Sequence, residues 1–295
     1  MLVHRRERII LLTFLIPALL LLVVFLGIPA LWAVYLSFTD RALSGEQARH
    51  VTFIGLDNYV SLFQDPSFYQ SLWLTLVFVF LSAIVGQFVL GLLAALLLNR
   101  KGLRGEALFS AAILMPLVVP ETIAAYAWAS MLVPGPYGMA NKLIGLFGVP
   151  PVDWLQQQPM AAIIIVNIWR GIAFAMIIFL AALQGIQPDI LEAAAIDGAG
   201  AWRRLIYVTL PLLRYAILLY MLLTTIFTFG IFGLVYVLTA GGPGTATQIL
   251  GIYIYQTSFR FFQLGYGSAA AVVTLLIALA LGLFYVRALQ AEGTT

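Results

Sequence analysis

Long apolar runs alternate with short polar islands along this chain, and the pattern predicts six membrane-spanning helices. The runs cover 9–33, 71–98, 107–133, 160–183, 212–238 and 264–285, each long enough to cross the hydrocarbon core of a bilayer. The first belongs to an uncharged stretch over 9–39, far longer than the roughly 7–15 apolar residues of a signal peptide, so it reads as an uncleaved span. Pro17, Gly27 and Pro29 are expected to bend it, and Pro116 with Pro120 to bend the third run, because each proline removes a backbone donor. Between the first two runs, the polar segment over 40–70 predicts a short amphipathic helix capped by Asp57 and a turn at Asp65-Pro66. Residues 134–159 read as a Pro/Gly-rich loop. After the fifth run, the sequence TAGGPG over 239–244 ends the helix, and the remainder, with Tyr253, Tyr255, Phe259, Phe261 and Phe262, is expected to be an outer loop with interfacial aromatics. The fold class is therefore all-α integral membrane, and no boundary suggests more than one domain over 1–295.

The most polar island lies over 187–211, QPDILEAAAIDGAGAWRRLIYVTLP. Pro188 suits the first turn of a helix, the residues to Asp197 are good helix formers, and Gly198 with Gly200 stops the helix before a second begins near Trp202. The prediction is a helix, a sharp turn that places Gly198 at positive φ, and a second helix. Each helix is shorter than the ~12–15 residues needed for independent stability in water, so the hairpin must lean on its own chain or on a partner. Ala193, Ala194 and Ala195 offer a smooth surface that another backbone can approach closely.

Composition narrows the classes. Apolar residues make up 63% of the chain and charged residues 9%, with a mean hydropathy of +1.03; no soluble fold buries that much. Cysteine is absent, which excludes disulfides and thiolate metal sites. The net charge of +3 is too small to argue for nucleic acid, but its distribution is informative. One side of the predicted topology collects Arg5, Arg6, Arg8, Arg100, Lys101, Arg104, Arg203, Arg204, Arg214 and Arg287, against Arg41, Arg49, Lys142 and Arg260 on the other. The positive-inside rule then puts both termini and the hairpin in the cytoplasm.

Candidate chemistry is sparse. A phosphate-binding loop needs Lys followed by Ser or Thr, whereas Lys101 precedes Gly and Lys142 precedes Leu, so ATP hydrolysis is not expected of this chain. His4 and His50 lie outside the spans and no two aspartates share the membrane, which leaves intramembrane proteolysis and metal sites unsupported. Two ionisable residues fall near mid-span, Glu121 in the third run and Arg170 in the fourth. A bare charge there costs about 2.5–3.5 kcal/mol on insertion scales, so each needs compensation, and the two are candidates for a pair lining a translocation path or fixing helix packing. Asn167 and Phe174 share a helical face with Arg170. Thr225, Phe229, Phe232 and Tyr236 form a second stripe, suited either to sugar contacts or to ordinary packing. Tyr126, Trp128 and Trp169 are open to the same two readings.

A family resemblance rests on Glu192-Ala193-Ala194, Gly198 and Leu210-Pro211. This spacing resembles the EAA motif of the permease subunits of ATP-binding-cassette (ABC) importers; Val208 and Tyr215 depart mildly from it. Phe53–Phe68, Leu114-Met115-Pro116 through Trp128, Trp169-Arg170-Gly171 and Val235 through Gly244 extend the likeness to the sugar-permease branch related to the larger maltose-permease subunit. Glu121 after Pro120 and Gly233 before Leu234 depart from that branch. The resemblance implies a type I importer permease whose hairpin, through Glu192, Ala193, Ala194, Asp197 and Gly198, couples to a separate ATPase that binds ATP and Mg. It further implies a second permease, an extracytoplasmic solute-binding protein, no cofactor on this chain, and a carbohydrate, polyol or glycerol phosphate as cargo. A competing class remains open at this point, an ATP-independent channel or secondary carrier with a regulatory hairpin.

Overall fold

In the computed structural model, residues 15–100 and 102–293 are described; the first turns of the expected first span and the cations Arg5, Arg6, Arg8 and Lys101 lie outside them. Helix α1, Leu15–Ser37, leaves its apolar window unburied within the chain. A loop follows, then α2, Asp57–Gln64. The expected cap at Asp57 is corrected here: Leu56 is the capping residue and Asp57 the first helical one, with no side-chain cap bond. The turn at Asp65-Pro66 is present, with Asp65 Oδ1 accepting the Ser67 N–H at 2.8 Å.

Helix α3, Pro66–Leu98, is long and apolar enough to span. The expected third span is two helices, α4 (Glu106–Val118) and α5 (Glu121–Met131), bent by 110°. Val119 before the proline is extended, as steric conflict with the Pro120 ring favours, and Pro120 has no N–H to continue the ladder. Residues 134–159 include short helical turns, Met139–Gly145 and Trp154–Gln157, pinned by Asn141, whose side-chain oxygen accepts the Val152 N–H and the Trp154 indole N–H. Helix α6, Pro159–Gln184, is unbroken. The hairpin helices follow: α7, Pro188–Ile196, and α8, Ala201–Leu212, which meets α9, Arg214–Phe229, at a 68° bend.

The fifth span also differs from expectation. The apolar run extends to residue 238, but α9 stops at Phe229 with Gly230 as its cap, and a separate helix, α10, begins at Gly233 and ends at Leu238. Where an outer loop was expected, α11 covers Leu250–Tyr255 and continues as a π-helical turn to Arg260. Helix α12, Leu264–Gly293, completes the described chain.

Contacts divide the chain into two compact units, one formed by residues through Phe68 with Ile254–Leu276, the other by Tyr69–Tyr253 with the chain from Ile277 onward. In the first, the loop after α1 is tied down by polar side chains. Asn58 Nδ2 donates to the Ser37 and Thr39 carbonyls at 2.9 and 2.8 Å, and Gly265 N–H donates to the Arg41 carbonyl at 2.8 Å. In the second, two apolar cores occupy different levels of the same helices. One gathers Phe78, Ala125, Val166, Leu234 and Ile252; the other gathers Leu92, Ala95, Met176, Phe179 and Tyr220. Between those levels α3 carries Ser82 and Gln87 and α6 carries Asn167 and Arg170 amid apolar neighbours, and there the candidate site lies.

Candidate functional site

The site is built where α3 and α6 approach closely. Gly91 faces Ala175 so tightly that a Cβ there would lie 2.3 Å from the Ala175 Cβ, and Gly171 leaves the space that the Gln87 side chain fills. Beside the second contact runs a buried hydrogen-bonded chain. Asn167 Nδ2 donates to Ser82 Oγ at 2.7 Å, Gln87 Nε2 donates to the Asn167 carbonyl at 2.8 Å, and Thr224 Oγ1 donates to Gln87 Oε1 at 3.0 Å. Tyr220 joins from α9 by donating to the Ala83 carbonyl at 2.9 Å. Buried polar groups need hydrogen-bond partners, and here they satisfy one another.

Next to this network lies a cavity of about 370 Å³. Its polar wall comprises Gln87, Glu121, Asn167, Arg170, Thr224 and Thr228; Phe174 and Phe227 supply apolar faces. Arg170 and Glu121, singled out in the sequence, are paired: Nη1 lies 3.4 Å from Oε2, with the side chains 23% and 32% exposed. Oε1 of Glu121 accepts the backbone N–H of Leu234 at 2.5 Å. The break that ends α9 leaves the first N–H groups of α10 without intrahelical partners, and Glu121 satisfies one of them. Gly233 permits the approach, since a Cβ there would lie 3.0 Å from Oε1. The two residues that depart from the branch pattern, Glu121 and Gly233, are thus neighbours in space.

Of the other path candidates, Asn167 lines the cavity, but Thr225, Phe229 and Tyr236 do not. Their common stripe assumed a continuous helix, and the break after Phe229 ends that register. Thr225 Oγ1 is 3.5 Å from the Tyr285 hydroxyl, Phe229 is buried, and Tyr236 stacks on Phe232 against the first apolar core. Gln87, Ser82, Thr224 and Thr228 were not anticipated; the available signal was an isolated Gln amid the apolar α3 run. Trp128 and Trp169 pack edge to face with centroids 5.6 Å apart.

The hairpin has the expected form. Gln187 is extended, Pro188 opens α7, and Gly198 takes φ 81°. Ala199 N–H reaches the Ala194 carbonyl at 3.0 Å and Gly198 N–H the Ala195 carbonyl at 3.1 Å, the paired bonds of a Schellman stop. No residue of α7 is buried, and Ile196 and Trp202 are 87% and 71% exposed. Glu192 lines a recess of about 480 Å³ with Asn99, Gln184 and Arg204. Ala193, Ala194 and Asp197 lie on the same turn of chain.

Broken and unbroken apolar helices around a polar cavity, with an exposed polar hairpin at one level, define a multi-pass membrane transport protein. The chain belongs to the family of binding-protein-dependent transport system inner membrane components, whose model matches residues 87–291. It is 34% identical to the trehalose/maltose transport system permease protein MalF of Thermococcus litoralis, over 92% of this chain and 90% of that one. It is also 34% identical to the sulfoquinovosyl glycerol transport system permease protein SmoG of Agrobacterium fabrum, over 97% and 92%. Among solved structures, a bacterial alginate ABC transporter in complex with an alginate pentasaccharide-bound periplasmic protein superposes with a TM-score of 0.78 at 25% identity, covering 95% of this chain and 93% of that one. The chain is therefore an ABC-importer permease of the inner membrane, a transport component and not an enzyme, as the EAA resemblance implied.

Proposed function

We propose that this chain carries a sugar, or a related polyol or glycerol phosphate, across the cytoplasmic membrane by alternating access, paired with a second permease. A separate ATPase, binding ATP and Mg, docks on the hairpin around Glu192, Ala193, Ala194, Asp197 and Gly198, and an extracytoplasmic solute-binding protein delivers the cargo. The observation that carries this reading is the polar cavity between two apolar cores, where hydroxyl, amide and charged groups meet aromatic faces. A sugar needs both kinds of contact, hydrogen bonds at its hydroxyls and apolar surface at its ring faces. The relatives named for trehalose/maltose, sulfoquinovosyl glycerol and alginate support a carbohydrate, though they differ in charge.

The hairpin supports the coupling half of the reading. It exposes the large apolar side chains of Ile196 and Trp202, and it is too short to be held by propensity alone. ATP-driven closure of the ATPase moves the hairpin only if the two make different contacts in the two states, because differential binding alone shifts an equilibrium. Both termini share the cytoplasmic side with the hairpin in this scheme. The test is co-purification of the chain with its co-expressed partners, followed by ATPase assay in liposomes with a sugar panel and the binding protein. Retention of an ATPase, lost in Glu192→Lys, and stimulation by one sugar is the expected result. Purification of the chain alone with nucleotide-independent solute flux overturns it in favour of a channel or carrier.

A further inference from the structure

The wall of the cavity carries one carboxylate and one guanidinium, and the two are bound to each other. Their attachments to the rest of the molecule are unequal. Glu121 is held from a second direction by the Leu234 N–H, in a space that Gly233 keeps open. Arg170 has its Nε buried without a hydrogen-bond partner among the described residues. The carboxylate is therefore the anchored member of the pair, and it holds its place independently of the cation it cancels. The remaining polar wall, Gln87, Asn167, Thr224 and Thr228, is neutral.

We infer that Glu121 sets the charge of the cargo: with Glu121 present the path admits neutral polyhydroxylated solutes, and without it Arg170 turns the path toward anionic sugars. The inference rests on the cavity being the cargo path and narrows the proposed cargo to its uncharged members. The physical basis is that a largely buried cation in a cavity wall attracts a solute anion more strongly than it would in bulk water, whereas a cation already paired with a fixed carboxylate presents almost no net charge. An anionic solute entering the wild-type cavity gains little from Arg170 and meets the Glu121 carboxylate as well.

Binding is measured on the purified complex, co-expressed with its partners and reconstituted without the solute-binding protein, so that delivery does not select the ligand. The probes are trehalose (neutral), glucuronate (anionic) and glucosamine (cationic). Wild type is expected to bind trehalose at least tenfold more tightly than glucuronate. Glu121→Gln, whose amide oxygen can still accept the Leu234 N–H, should raise glucuronate relative to trehalose at least tenfold, and added salt should shrink the change. Arg170→Gln should favour glucosamine, and the double variant should return to trehalose; these two carry the test if Glu121→Gln does not assemble. Unchanged ratios in assembled Glu121→Gln or Arg170→Gln complexes, or a wild-type preference for glucuronate, overturn the inference and leave the importer reading standing. Failure of the ATPase-bound wild type to bind any of the three overturns the cargo-path reading and the inference with it.

Discussion

At the scale of single residues, the positions that matter are those where one side chain resolves a conflict made by the backbone. Gly198 ends α7 at φ 81°, and a Cβ there would touch nothing within 4 Å. The demand is therefore conformational and not spatial, and any residue with a Cβ is strained by about 1–2 kcal/mol or more. Gly198→Val is expected to cut transport-coupled ATPase activity at least tenfold while the spans still insert, as read by parallel assays of membrane integration and ATPase co-purification. Glu121 resolves two conflicts, a mid-membrane cation and an orphan helix N–H. Outside the spans, Asp40 accepts the Thr52 hydroxyl and backbone N–H, and these bonds hold its carboxyl below the usual value of 3.8. A lowered folded value means that the contribution is complete at pH above the unfolded value and is lost as pH falls through the lowered one. Thr52→Val should shift the acid midpoint of unfolding of the purified protein to a higher pH.

At the scale of elements, the two breaks in otherwise apolar spans have different causes and one common outcome. Pro120 ends the ladder of α4 by chemistry visible in the sequence, whereas α9 ends at Gly230 in a stretch that reads as continuous apolar helix. The second halves, α5 and α10, pack together in the first apolar core through Ala125, Leu132, Leu234 and Leu238, and Glu121 ties their starts. Non-helical backbone at membrane depth is tolerated only where protein or a polar cavity satisfies it, and both conditions are met here. The α3–α6 contact is the other decisive element-scale feature. Gly171→Val should push Gln87 out of its place, since a Cβ would already lie 2.0 Å from the Gln87 side chain. The expected result is loss of several °C in the melting temperature of the complex, whereas Gly145→Ala, where nothing lies within 4 Å, should leave it unchanged.

At the scale of the whole molecule, orientation and assembly decide function. The absence of cysteine makes the topology directly measurable with single introduced cysteines. Ala195→Cys should react with a membrane-impermeant maleimide only from the cytoplasmic side, and Ser44→Cys only from the opposite side; the reverse pattern would invert the proposed coupling. Addition of the ATPase partner should protect Ala195→Cys. The exposed Ile196 and Trp202 and the unburied apolar window of α1 describe a chain that does not cover its own surface, in keeping with a subunit that works in a complex and in lipid.

The sequence by itself determined the class, the approximate spans and the form of the hairpin. These depend on local quantities: the length of apolar runs, the placement of Pro and Gly, and the count of cations at span ends. It also marked Glu121 and Arg170, because any mid-span charge demands compensation. What only the tertiary structure decided was who compensates whom. The pairing of Glu121 with both Arg170 and the start of α10, the role of Gly233, and the Gln87–Asn167–Thr224 network each join helices distant in sequence, and no periodicity reports such contacts. The stripe through Thr225, Phe229 and Tyr236 lies off the cavity wall for the same reason. A helical register is a local inference, and past the break at Gly230 the start of α10 is held at Leu234 by a carboxylate 113 residues away in the chain.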